Sequence, residues 1–550
     1  MANLEIMPLG GAGEIGRNCT LLIQGDEMVM IDCGISFPDE ETPGVDIVIP
    51  DFTFVDQNRD KLKALILTHA HEDHVGAIPS LVNDIKVPIY ATAFTHAMIR
   101  NKLEERTNIQ SLILKTVEPG KIIKVGKISF ELIPITHSIP HNCGLAIHTD
   151  HGAVVFTGDF KLDPAPVDGI KTDVKRLKEL GEEGVVCLFS DSTNIDRPGY
   201  GPSESSATAG FREAFKDVEG RILITMFASN IHRMQQVMNV AEEFGRKVAV
   251  AGRRMEQTIE ICTKMGILSP PKGIRIRLDQ VNEFPPEQVV ILLTGSQGEP
   301  RSALVQMSKG TYGRLKVREG DTILYSARPI PGNEAPIWRT INRLFSMGAD
   351  VVFNPEKPIH ISGHAYREEL KQMIAMTKPF YLAPVHGEPR HQWHYEQMAL
   401  EEGHLAHRIF KLKDGQKLVI DDTEARVENF IVADPMWLDS GGNVVEKHVV
   451  EDRNMIAESG IVILTIGVEA GGIGKVHIVA RGVACDDEVV QKARLAAADA
   501  LQIIPKSALT DHSMIQGAAI DAARAVLQRR GGIRPMVLAT VMDSRLVTTR

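Results

Sequence analysis

The chain has 550 residues, 43% of them hydrophobic, and a formal net charge of −10, a composition expected of several globular domains and not of a surface coated throughout with nucleic acid. No stretch approaches the about 18 consecutive apolar residues of a membrane span, and the start MANLEIMPLG lacks both parts of a signal peptide, so a cytoplasmic protein with no membrane partner is expected. Six cysteines stand far apart with no CxxC pair, which speaks against a disulfide framework or a thiolate zinc site and leaves histidine and carboxylate for any metal.

The opening GGAGEIGRN carries a literal GxGxxG at Gly11, Gly13 and Gly16. A dinucleotide fingerprint needs a helix after the glycines. Here NCTLLIQGDEMVMIDCG reads as a hairpin of two strands around Gly25 and Asp26, so a tight glycine turn that brings backbone close to the metal edge is the better reading. Five apolar runs then end in ligand-type residues: MVMID at Asp32, KALILTHAHEDH at His69, AVVFTGD at Asp159, VVCLFSD at Asp191 and FYLAPVH at His386. Continuous apolar runs of this kind are buried strands, and residues just past their ends sit together at one sheet edge, where sites collect. After His74, the helical spacing of Val75, Ile78, Leu81, Val82 and Ile85 puts ILTHAHEDHVG on a strand-to-helix loop.

Residues 221–251 read as a βαβ unit: strand RILITMF, loop ASN, helix IHRMQQVMNVAEEFG, strand KVAVAG. The basic clusters there, His232 with Arg233 and Arg253 with Arg254, line a local channel or are solvated helix ends. This unit lies between Asp191 and His386, which predicts a second α/β domain inserted into the first. The expected bounds are 1–204 and 356–435 for the first domain, 205–355 for the insertion, 436–455 for a polar linker and 456–550 for a small α/β tail. In the tail, GIVILTIGV, GKVHIVARGV and PMVLATVMD are predicted strands, and DEVVQKARLAAADALQII and MIQGAAIDAARAVLQRR helices.

The loop from 66 to 76 supplies four ligand candidates, His69, His71, Asp73 and His74. Alternation along an extended loop points His69 and His71 one way and Asp73 the other, so one loop can feed two divalent ions. His137, Asp159 and His386, on separate strand ends, complete the two sites. Paired ions of this kind clamp the attacking and leaving oxygens of a hydrolysis and generate a nucleophile near neutral pH. Asp32 reads as a carboxylate accepting from a ligand imidazole N–H, or as a strand-end cap. In MFASN, the N–H groups of Ala228, Ser229 and Asn230 stand at a helix N-terminus suited to an anion, with simple N-capping as the alternative. HISGHA sets Ser362, the Gly363 backbone and His364, with His360 on the same loop, where they can donate to phosphate oxygens.

The pattern HxHxDH, followed by His137, Asp159 and His386, resembles the metallo-β-lactamase superfamily over most of the first 435 residues. SDSTN, HISGHA and APVHGE resemble the three motifs of its β-CASP branch, whose members act on nucleic acids. With GGAGEIGRN, MFASN, TGSQGEP, RPIPGNE and the tail, the chain is similar to the bacterial ribonuclease J family. The resemblance implies an αββα metallo-β-lactamase sandwich with an inserted α/β β-CASP domain and a small C-terminal α/β domain. It implies two divalent ions, Zn²⁺ before Mn²⁺ or Mg²⁺, one held by His69, His71 and His137, the other by Asp73, His74 and His386, with Asp159 bridging. His364, oriented by Asp191, would handle the leaving-group proton. The implied substrate is single-stranded RNA, degraded 5′ to 3′ from a 5′-monophosphate end and also cut internally, in rRNA processing and mRNA decay. A homo-oligomer, dimer or tetramer, through the tail and other RNA-decay partners are implied as well.

Two departures from the resemblance stand out: His141 occupies a position after THSIP where the family pattern usually carries an acid, and His391 and His394 crowd the segment after His386. Solvent-facing histidines are expected there, an extra ligand or an altered rim being the alternatives. The competing functions are a β-CASP nuclease acting on DNA, a small-molecule metallo-hydrolase and an inactive metal-bound scaffold.

Overall fold

The computed structural model describes residues 2–38, 41–82, 86–104, 112–330, 332–353, 358–469 and 472–543. Ile85, Pro331 of RPIPGNE, the expected boundary at 355 and residues 544–550 of the tail lie outside them. Two units are distinguished, Met1–Phe37 with Val48–Met436, and Pro38–Ile47 with Trp437–Arg550.

In the first unit, an eight-stranded sheet runs in the order Ala425–Asn429, Gln416–Ile420, Leu4–Gly10, Cys19–Gln24, Glu27–Ile31, Leu62–Ile66, Pro88–Ala91, Ile113–Thr116. The hairpin around Gly25 is present, with Gln24 opposite Glu27. A six-stranded sheet follows the order Tyr381–Val385, Val185–Asp191, Gly152–Phe156, Cys143–Thr149, Ile128–Pro134, Ile123–Val125. Leu4, Leu22, Val29 and Ile66 of the first sheet pack with Phe130, Leu145, Phe156 and Phe189 of the second in one core. Each such buried side chain contributes about 1.5–3 kcal/mol. The far face of the second sheet is covered by helices Val174–Glu183, Arg367–Thr377 and Pro389–Glu401 through Leu177, Leu180, Leu370, Met373, Tyr395 and Met398. Burial on both faces is why these strands read as unbroken apolar runs.

Parallel neighbours put the ligand candidates at common edges. Glu27–Ile31 lies parallel beside Leu62–Ile66, so Asp32 and the histidine loop leave the first sheet side by side. Gly152–Phe156, Val185–Asp191 and Tyr381–Val385 are parallel neighbours in the second, delivering Asp159, Asp191 and His386.

Between Asp191 and His386 the chain builds a separate five-stranded parallel sheet, ordered Lys247–Ala251, Val289–Leu293, Ile222–Thr225, Thr322–Tyr325, Asp350–Val352. The strands on either side of the helix Ile231–Glu243 are parallel, as in a βαβ unit, but Val289–Leu293 pairs between them.

The second unit contains a three-stranded sheet with Ile461–Glu469 at its centre, antiparallel to Gly472–Arg481 and parallel to Met536–Asp543. Helices Asp487–Gln502 and His512–Val526 cover one face through Ala493, Ala497, Leu501, Ile515, Ala519 and Ala523. The polar stretch 436–455 is more regular than a connector, since residues 447–459 form a helix whose Arg453 Nη1 donates to Pro43 O at 3.1 Å.

Candidate metal centre

The histidine loop leaves its strand at Ile66 and is pinned from behind. Thr68 N and Oγ1 both donate to Asp32, at 2.8 Å each. Asn18 N, Cys33 N and Ile35 N bind the carbonyls of Asp73, His74 and Glu72 at 2.9, 2.7 and 3.1 Å. A Cβ on Gly34 would lie 1.7 Å from Asp73 O, so only glycine lets this backbone pass. The single helix expected after His74 is two short turns, Glu72–Val75 and Ile78–Leu81. Pro79 has no N–H for the carbonyl one turn back, which ends the first turn.

The glycine turn at Gly11, Gly13 and Gly16, all at positive φ, is followed by the strand Cys19–Gln24 and no helix. Gly11 O accepts from His386 N at 2.7 Å, and Ala12 N donates to Asp414 Oδ1 at 3.0 Å.

Ligand atoms of His69, His71, His137 and Asp159 all lie within 4.8 Å of one another, as do those of Asp73, His74, Asp159 and His386. Asp159 is common to both sets. His71 Nδ1 is 3.0 Å from His69 Nε2 and 3.1 Å from His137 Nε2. Zinc–nitrogen bonds of about 2.0–2.1 Å in a tetrahedron put neighbouring ligand atoms about 3.3 Å apart, close to these spacings. His137 Nδ1 donates to Gly363 O at 2.7 Å, and His69 Nδ1 faces Thr68 Oγ1 at 3.0 Å, whose own proton goes to Asp32. Both imidazoles therefore turn a lone pair at Nε2 toward His71. His74 Nδ1 donates to Asp32 Oδ2 at 2.7 Å, which leaves its Nε2 facing Asn18 Nδ2 at 3.0 Å and Asp159 Oδ1 at 3.1 Å. That oxygen is buried without a hydrogen-bond partner. This donor set fits two divalent cations.

Electrostatics separates the two sets. Burial pushes His71 down to about 4 and His137 to about 3, and His69 well below its ordinary value, so these imidazoles are neutral, the ligating form. Burial opposes charge on His74 and His386 too, but Asp159, with Asp32 at His74 and Asp191 and Asp73 at His386, overrides it and raises His386 to about 10. The Asp73 and Asp159 carboxyls stay below their usual range despite burial because His74 and His386 face them. Four carboxylates around this side call for positive charge.

His364 Nδ1 contacts Asp191 Oδ2 at 2.8 Å, and its Nε2 stands 4.0 Å from Asp159 Oδ2. Burial works against its charge, and Asp191 and Asp159 together raise its pKa. His364 and Asp191 also form a third set with Asp159 and His386, their ligand atoms all within 4.8 Å of one another. Ser362 Oγ accepts from Asn194 Nδ2 at 2.8 Å, which leaves its own proton to donate. A Cβ on Gly363 would sit 2.6 Å from His137 Nδ1. His360 Nδ1 accepts from Arg233 Nη1 at 2.8 Å, and burial with Arg233 keeps this ring neutral. Asn230 Oδ1 caps its helix by accepting from Arg233 N at 3.2 Å, while Ala228 and Ser229 remain partly exposed.

Two readings of the sequence need correction. Arg233 is neither solvated nor a channel wall: it is fully buried, paired to both oxygens of Glu204 and donating to Ser326 O and Ile361 O, whereas Arg253 and Arg254 are exposed. Among the extra histidines, His141 is exposed and His394 partly so, but His391 is buried. It lies on the inward side of Pro389–Glu401 and accepts from Glu388 N at 3.0 Å in a capping box. No ligand cluster among the described residues includes any of the three.

Several residues had no signal of their own in the sequence. Thr193 Oγ1 lies 2.8 Å from both His386 Nδ1 and His386 O, Asn142 Nδ2 donates to Asp159 O at 2.8 Å, and buried Lys161 Nζ donates to Pro202 O at 2.7 Å. Thr193 falls within the SDSTN motif, a clue that only the motif carried.

Known proteins resemble this chain over most of its length. The description "Metallo-beta-lactamase superfamily" matches residues 12–200, "Ribonuclease J, beta-CASP domain" 219–344, "Zn-dependent metallo-hydrolase RNA specificity domain" 353–410, and "Ribonuclease J C-terminal domain" 448–544. Ribonuclease J of Thermus thermophilus is 36% identical over 98% of this chain and 95% of its own length. The chain belongs to the ribonuclease J family. Ribonuclease J 1 of Streptococcus pyogenes is 34% identical, covering 98% of this chain and 99% of its own. Ribonuclease J of Synechocystis sp. is 39% identical over 85% of this chain and 73% of its own. A solved protein of unknown function from Enterococcus faecalis V583, 17% identical with a TM-score of 0.53, covers 76% of this chain and 100% of its own and shares the fold alone. As a ribonuclease J family member, the chain is a metal-dependent hydrolase of the nuclease class with metallo-β-lactamase, β-CASP and C-terminal domains. Among the described residues no helix is long and apolar enough to cross a membrane.

Proposed function

We propose that this chain degrades single-stranded RNA from a 5′-monophosphate end, 5′ to 3′, and also cleaves internally, as a cytoplasmic enzyme of rRNA processing and mRNA decay. The observation that carries the reading is the sharing of Asp159 between two buried His/Asp sets beside the His364–Asp191 pair. His69, His71 and His137 would hold one divalent ion and Asp73, His74 and His386 another, zinc being the first candidate, with Asp159 between them. Such a pair lowers the pKa of a bound water and neutralises charge on a phosphodiester.

The chain's own groups do the rest. Asp32 fixes the His74 tautomer, Thr193 orients His386, and the Gly363 carbonyl holds the His137 ring. Asp191 favours the protonated form of His364 and aims the ring inward, where Nε2–H can pass a proton to the leaving oxygen. The Ser362 hydroxyl and the N–H groups of Ala228 and Ser229 would donate to the 5′ phosphate, with the Asn230 side chain committed to its cap. Family membership favours RNA over DNA, and an inserted domain of this size has no use in a small-molecule hydrolase.

RNA and DNA oligomers with 5′-monophosphate, triphosphate or hydroxyl ends, incubated with zinc- or manganese-loaded protein, test this. Mononucleotides released from the monophosphorylated RNA in preference to the rest are expected. Turnover of lactam or thioester substrates alone would remove the reading.

A further inference from the structure

TGSQGEP and RPIPGNE have no part in the chemistry described so far, yet they meet at the C-terminal edge of the inserted parallel sheet. Gln297, buried, holds them together: its Nε2 donates to Arg328 O at 2.8 Å, and its Oε1 accepts from Ile330 N at 2.8 Å and Asn333 Nδ2 at 3.3 Å. Asn333 opens the helix Glu334–Ser346, which carries Trp338. Trp338 is 47% exposed and rests edge-on against Phe353 with centroids 5.0 Å apart; Phe353 in turn meets Tyr325 at 5.1 Å. Tyr325 OH donates to Ser296 O at 2.7 Å, closing the frame back onto the Gln297 loop. Arg328 is exposed and has no side-chain partner among the described residues.

This frame adjoins the candidate phosphate loops. Two residues before Arg328, Ser326 Oγ donates to Ile359 O at 2.6 Å, and Ser326 O accepts from Arg233, which also binds His360. Resting on the ribonuclease reading above, we propose that Trp338 and Arg328 form a landing platform for single-stranded RNA, one base stacking on the indole and a backbone phosphate meeting the guanidinium. A half-exposed aromatic and an exposed arginine carried by one hydrogen-bonded frame are the groups that bind single strands without reading sequence. Trp393, exposed to a similar degree, lacks it, because neighbouring Arg390 is tied to Asp196 and Glu388. In a chain of net charge −10, an exposed arginine on this edge of the inserted sheet attracts a polyanion in preference to a neutral surface.

The test uses the metal-loaded full chain. Three tryptophans are present, so W393F/W437F leaves Trp338 as the reporter, and RNA should quench its fluorescence. For a long 5′-monophosphorylated strand, Trp338→Ala should raise KM about tenfold with kcat unchanged, and Trp338→Phe should recover most of the loss. Arg328→Ala should lower the slope of log affinity against log salt by about one phosphate contact. A 5′-monophosphorylated dinucleotide should be cut equally by all variants. Absence of quenching with unchanged KM, an equal loss on the dinucleotide, or an altered oligomeric state in Trp338→Ala would overturn the platform, the last pointing to a protein contact. If the parent chain quenches with RNA but does not cleave it, the activity reading fails and the platform stands.

Discussion

Asp32 Oδ2 accepts from His74 Nδ1 across 2.7 Å, with both residues buried and Asp32 itself at a positive φ of 57°. The carboxylate also takes both donors of Thr68, so one side chain fixes the base of the histidine loop and the tautomer of a ligand candidate. Asp32→Ala should weaken metal affinity by about 10- to 100-fold, read by chelator competition. Unchanged affinity would show that His74 needs no such support.

His364 and Asp191 act after binding in this account. His364→Ala should lower kcat by about 10²- to 10⁴-fold and leave metal content intact. Asp191→Asn, which removes the charge that raises His364, should shift the basic limb of the kcat profile to lower pH. Loss of metal from His364→Ala would instead make His364 a ligand, the role its third cluster with Asp159, Asp191 and His386 permits.

Far from the centre, buried Glu131 binds Arg176 Nη2 at 2.9 Å and His148 Nε2 at 3.1 Å. Burial would raise its pKa, but His148 and Arg176 hold it below the ordinary value. The folded state then binds this proton less readily than the unfolded one, so the contribution is full above the unfolded pKa and fades as pH falls through the depressed one. Glu131→Gln should cost about 1–3 kcal/mol at neutral pH, a hydrogen bond to a charged group, in denaturant titrations. The gap from the parent should close in acid; a pH-independent gap would contradict it.

The tail presents Ile463 flanked across the strands by Val479 and Leu538, all exposed, on the face opposite its helices. If the chain self-associates through its tail, this face is the surface for it. Ile463→Asp with Leu538→Asp should reduce the sedimenting mass to that of the 60.5 kDa monomer. An unchanged assembly would move the interface elsewhere.

The strands were legible because burial on both faces leaves unbroken apolar runs such as VVCLFSD and FYLAPVH, and the ligand candidates because they close those runs. Helix continuity after His74 was not legible by periodicity, which carries no record of the hydrogen bond that Pro79 cannot make. Arg233 and His391 misled for a different reason: a polar residue looks solvated until its partners, Glu204 and the Glu388 backbone, are brought in by the fold. Residues such as Thr193 and Asn142, which hold ligand candidates from behind, are ordinary in type and could not be singled out by spacing.

Anomalous diffraction from metal-loaded crystals, recorded at the zinc edge, addresses the shared role of Asp159 most directly. Two peaks about 3.5–4 Å apart are expected, one among His69, His71 and His137, the other among Asp73, His74 and His386, with Asp159 touching both. A single peak, or density that leaves Asp159 without a metal, would contradict the account.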